Sequence, residues 1–119
     1  MTRLELIEYC RTYPNVYEDY PFDDISGDTS WTAMRHRQNK KTFAFIFERD
    51  GLCINLKCNP ARSDLLRRVY GGVTPGYHMN KEHWNSVFPN SDLPQDELFA
   101  LIQHSFELTA PKINSKRQS

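Results

Sequence analysis

Cysteine is scarce in this chain of 119 residues, with only Cys10, Cys53 and Cys58. A count that is both low and odd excludes a small domain stapled by disulfides. Net charge is missing as well: 15 Lys and Arg offset 15 Asp and Glu, so a uniformly basic surface is no argument for nucleic-acid binding. Long apolar runs are absent. The longest, Phe43-Ala44-Phe45-Ile46-Phe47, is strand-sized, far short of the roughly 20 residues of a membrane helix. No basic segment leads into an apolar stretch near the start, so no secretory signal is expected, and a cytoplasmic location without a membrane partner is. Glycine is sparse, and the run Gly71-Gly72-Val73-Thr74-Pro75-Gly76 follows a helical pattern rather than preceding one. With no Lys-Ser or Lys-Thr pair closing it, it is not a phosphate-binding loop.

Catalytic signatures are missing too. There is no Gly-x-Ser-x-Gly, no paired-carboxylate motif and no cysteine with a flanking basic pocket. The bases available near neutral pH are His36, His78, His83 and His104. His78 and His83 are five positions apart and share no regular helix face, and a zinc site would need a third ligand from elsewhere. The expectation is a protein without catalytic residues, metal or cofactor.

What the sequence does contain is uneven charge. Residues 1–30 hold two basic and seven acidic side chains, residues 31–90 ten and four, and residues 91–119 three and four. A basic middle segment that folds onto one surface creates a local field for anions inside a neutral protein.

The length fits one domain, expected over 1–110, with a flexible tail over 111–119. Thr2 and Glu5 form a capping box that opens a helix, with Leu4 and Ile7 on its inner stripe and Pro14 beyond it. Residues 14–30, with Pro14, Pro21 and Gly27, read as an irregular acidic loop. Strands are expected over 31–37, 42–48 and 52–58, the last two joined at Asp50-Gly51, a strong hairpin signal. In the third strand Leu52, Ile54, Leu56 and Cys58 share a covered face, which leaves Cys53, Asn55 and Lys57 on an open one. Asn59 caps and Pro60 starts a second helix with Leu65, Leu66 and Val69 inward. A looser hairpin over 76–79 and 84–88 precedes a final helix from 95 to 109, built on Leu98, Leu101 and Ile102. Phe43 and Phe45 complete the expected core. The fold class is α+β: two layers, an antiparallel sheet of about five strands with helices on one face, in the order α-β-β-β-α-β-β-α.

With these elements in place, the chain resembles the MmcQ/YjbR family of small bacterial proteins. The residues that carry the likeness are Tyr20-Pro21-Phe22, Lys41-Thr42-Phe43-Ala44, Leu56-Lys57-Cys58 and, above all, the run Gly72 to Trp84, GVTPGYHMNKEHW. Ser105, Phe106 and Leu108 in the closing helix fit as well. The resemblance covers roughly residues 1 to 110 and implies a fold similar to secretion chaperones. It also implies a "double-wing" description and a DNA-binding role.

The residues suit such a role. Arg35 and Arg37 close the first strand, Lys40 and Lys41 occupy its turn, Lys57 lies on the open face, and His78, Asn80 and Lys81 lie in the second hairpin. Basic side chains would contact phosphates while Asn39, Asn55 and Asn80 reach base edges. The alternative is a protein- or peptide-binding or homodimerising module, with Trp31, Tyr77, Trp84 and Phe88 flanking the open face.

Overall fold

A computed structural model describes residues 1–22 and 31–112. The expected tail lies outside the described residues from 113 onward, as does the acidic stretch 23–30. In chain order the elements are α1 (Arg3–Cys10), β1 (Val16–Asp19), β2 (Thr32–His36), β3 (Thr42–Glu48), β4 (Leu52–Lys57), α2 (Pro60–Val69), β5 (Val73–Pro75), β6 (Trp84–Val87) and α3 (Gln95–Thr109). The six strands form one antiparallel sheet in the order β1-β2-β3-β4-β6-β5, and the helices pack on one side of it.

Local chemistry sets most of the boundaries. Thr2 and Glu5 make the reciprocal capping box at the start of α1. The Asn59 side chain accepts from the Ala61 amide and Pro60 sits in the first turn of α2. Asp50 and Gly51 both take positive φ, 56° and 113°, as a tight hairpin turn of matching twist requires.

The helix side of the sheet carries Met34, Ala44, Ile46, Ile54, Leu56 and Val87, packed against Leu6 and Cys10 of α1 and Leu98, Leu101 and Ile102 of α3. The Ser105 hydroxyl of α3 bridges two strands, donating to the Phe43 carbonyl at 2.6 Å and accepting from the Lys57 amide at 2.9 Å. It thereby satisfies two backbone groups just past the last β3–β4 pair, Ala44 and Leu56.

Several expectations need correction. The 14–30 segment contains a sixth strand, β1, which pairs with β2 from Val16 opposite His36 to Asp19 opposite Ala33. The second hairpin is made by β5 at 73–75 rather than by 76–79. Leu4 is 64% exposed and Leu6 takes its place inside. On α2 the inward ridge is Ser63 and Leu66, while Leu65 and Val69 are 60% and 57% exposed. The cause is polar. Asn85 of β6 is buried on the helix side and donates to Ser63 Oγ at 3.0 Å, while Arg67 donates to its Oδ1 at 2.8 Å. Rotating α2 to bury Leu65 and Val69 would strip Asn85 of both partners and leave a buried amide unpaired, a cost that offsets the burial gained.

Candidate nucleic-acid interface

Alternation along β3, β4 and β6 places Phe45, Phe47, Cys53, Asn55, Lys57, Trp84 and Ser86 on the side away from the helices. This face is not open. The chain leaving β5 folds over it, and a ring of hydrogen bonds fastens it there. Asn55 Nδ2 donates to the Tyr77 carbonyl at 3.0 Å, the Tyr77 amide donates to Ser86 Oγ at 2.8 Å, and Ser86 Oγ donates to Asn55 Oδ1 at 2.5 Å. Cys53 and Asn55 are buried as a result. Gly76 is required at the start of this crossing, since a Cβ there would lie 2.9 Å from the Trp84 carbonyl oxygen.

Aromatic rings complete the cover. Trp31 stacks on Phe47 with centroids 3.9 Å apart and planes within 6°, Tyr77 lies beside both, and the His78 ring sits 3.9 Å from Tyr77. The Arg49 guanidinium lies 4.0 Å from the centre of the Tyr77 ring, a cation–π contact that the sequence reading missed. Its one hint was an arginine beside the Asp50-Gly51 turn. Trp31, Tyr77 and Trp84 are therefore largely occupied with one another and with Phe45 and Phe47. The Cys53 thiol is pushed up to about 11, chiefly by burial, and the Cys10 thiol to about 12 for the same reason, which leaves both protonated and unreactive near neutrality.

The cations gather at an end of the sheet, not on its face. β2 ends and β3 begins at the 37–41 turn, β4 ends at Lys57, and β6 begins at Trp84, opposite Lys57. Arg37, Lys40, Lys41, Lys57 and Lys81 thus come from three segments to the same strand ends. None of the five makes an ion pair among the described residues. Arg37 rests over the Tyr17 ring, and Lys40 takes a positive φ of 62° in the turn.

The remaining sequence candidates do other work. Arg35 is neutralised by Asp19 at 2.8 Å and also donates to the Lys40 carbonyl, so the acidic early segment masks one of the expected contacts. Asn55 is fully buried. Asn80 is exposed, but its Oδ1 accepts from the Glu82 amide. His78 is exposed with a φ of 59°, and its ring lies beside those of Tyr77 and Trp31. Arg67 was not singled out in the sequence, yet it donates to the Lys81 and Trp84 carbonyls and so holds the Lys81 segment at the strand ends. Among the described residues there is no cluster of three or more His, Cys, Asp or Glu side chains able to hold a metal, and no helix long and apolar enough to cross a membrane.

The YjbR family model matches residues 11–108. The chain belongs to the YjbR family. Among curated YjbR relatives, YyaQ of Bacillus subtilis is 34% identical over 120 residues, spanning 92% of this chain and 98% of that protein. YjbR of Escherichia coli is 29% identical over 108 residues, spanning 90% and 86%. A crystal structure from Pseudomonas syringae matches with a TM-score of 0.79 at 31% identity, over 92% of this chain and all of that one. Another from Deinococcus radiodurans gives 0.81 at 28%, over 98% and 86%. These YjbR-like structures share the fold; none of the names states an activity.

Proposed function

We propose that this YjbR-family protein binds duplex DNA through the basic rim at the strand ends, acting as a binding protein rather than a catalyst. The observation that carries this reading is the convergence of Arg37, Lys40, Lys41, Lys57 and Lys81 from three separate segments, unpaired with carboxylates among the described residues. The DNA-binding role implied by the sequence resemblance points the same way, with a different surface. Because residues 76–83 cover the sheet face, the rim and not the face meets the ligand. From β2 to β6 the rim crosses three strand spacings, about 14 Å, comparable to the roughly 12 Å major groove whose bordering phosphates it would straddle. Among the described residues the lysines there have no carboxylate to exchange for phosphate, so counterion release from the DNA is the main gain.

The test is fluorescence anisotropy with a labelled duplex of about 20 base pairs at about 50 and 200 mM salt. Binding at low salt that weakens steeply with added salt, and is lost in the Lys40→Ala, Lys41→Ala, Lys57→Ala triple variant, supports the reading. No binding at low salt, or equal binding by the triple variant, overturns it.

A second reading, a module for a protein partner or for a second copy, draws on the paired exposure of Leu65 and Val69 one turn apart on α2. A chain that ignores DNA but elutes as a dimer favours it.

A further inference from the structure

We infer that Arg37 and Gln38, side by side at the tip of the β2–β3 turn, are the residues through which the rim reads base sequence; this deepens, and rests on, the DNA-binding reading above. Reading a base edge takes a side chain with paired hydrogen-bonding groups, unspent within the fold and carried on a fixed backbone. The turn meets both conditions. It is closed by the His36 amide donating to the Lys41 carbonyl at 3.0 Å and the Lys40 amide donating to the His36 carbonyl at 2.9 Å. It is also tied to its surroundings on two sides. The Arg37 amide donates to the Asn15 carbonyl at 2.8 Å. The Asn39 side chain donates to the Thr109 carbonyl of α3 at 2.9 Å and accepts from the Lys41 amide at 2.9 Å.

On this frame Arg37 and Gln38 are both exposed, and neither side chain makes a hydrogen bond or ion pair to any described residue. Arg37 rests over the Tyr17 ring, 5.6 Å from its centre. A cation–π contact leaves the guanidinium donors available, a planar fork that matches guanine O6 and N7. Gln38 borders a cleft of about 100 Å³ with Pro14 and Phe106 without spending its amide there. It keeps the donor and acceptor that adenine N6 and N7 require. The other amides near the rim are used within the fold: Asn39 in the turn itself, and Asn55 under the covering segment. The lysines are point charges that suit phosphate oxygens of any sequence. A two-stranded ribbon fits the major groove, so the β2–β3 turn enters it while Lys40, Lys41, Lys57 and Lys81 hold the bordering phosphates.

The experiment selects duplexes with a randomised centre on the full chain, then measures an enriched and a scrambled duplex by anisotropy across a salt series. A preference of about tenfold or more for a site holding a G·C pair beside an A·T pair is the expected result. Arg37→Lys keeps the charge but loses the fork, and should level the preference at the G·C pair with the salt slope unchanged. Gln38→Ala should level it at the A·T pair, again without moving the slope. Lys57→Ala should do the reverse, lowering the slope by about one and sparing the preference. Affinities that agree within about threefold across sequences, or a preference that survives either Arg37→Lys or Gln38→Ala, overturn the inference while leaving DNA binding intact. Failure of every duplex to bind at low salt overturns both.

Discussion

On the helix side of the sheet, Leu6, Ile46, Ile54, Leu56, Leu101 and Ile102 meet as an aliphatic core. On the other side, rings from Trp31, Phe45, Phe47, Tyr77 and Trp84 lie over the strands, and the Asn55–Ser86–Tyr77 hydrogen bonds hold the covering segment down. The first face is closed by regular elements whose burial is non-directional. The second is closed by a loop, and a loop lying on a sheet must find partners for its own backbone groups. A buried asparagine and serine facing away from the helices supply them. An alternating strand thus does not by itself announce an exposed face.

The largest effect that sharpens this contrast is expected on the helix side. Ile102→Ala removes a fully buried side chain and should cost about 2–5 kcal/mol in a urea titration. A loss below about 1 kcal/mol would mean that α3 collapses onto the gap and that packing there is loose. Next comes Asn55→Ala, which strips the Tyr77 carbonyl and the Ser86 hydroxyl of a partner and should cost about 1–3 kcal/mol. Its signature is local: amide exchange across residues 76–83 should accelerate well before that of α3. Equal acceleration everywhere would show that the cover and the core unfold as one unit.

The third contrast is with pH. Both histidines with shifted titration lie on the helix side. Burial first of all pushes down the pKa of His36, whose Nε2 lies 2.9 Å from Thr109 Oγ1. Burial, then the nearby Arg62, pushes down that of His104, whose Nε2 accepts from the Asn59 amide. A folded-state pKa below the ordinary value of about 6.5 means that the unfolded chain binds protons first. Stability is therefore full above about pH 6.5 and declines as the pH falls through the range just below it. That range lies above the carboxylates, including Glu5 and Asp92, which hydrogen bonds to backbone amides hold lower still. A denaturation midpoint unchanged between pH 7.5 and 5.5 would refute it.

The capping box, Asn59-Pro60, Asp50-Gly51 and the span of α3 were all readable because each is fixed by neighbours within four residues. So were the helix layer and the sheet behind it. β1 was hidden because Val16-Tyr17-Glu18-Asp19 is short, polar and set between prolines, and only pairing with β2 makes it a strand. The rotation of α2 was hidden because it depends on Asn85, eighteen residues beyond Arg67. For the rim, the lysines could be named from the sequence. Their gathering at strand ends and the masking of Arg35 by Asp19 required the register.

The two outermost strands are unlike the four between them. β5 spans three residues and ends in a proline, and β1 spans four, two of them carboxylates. Neither border offers a neighbouring molecule a long ladder of free amides and carbonyls on which to build. Short borders of this kind disfavour edge-to-edge growth of the sheet into fibres.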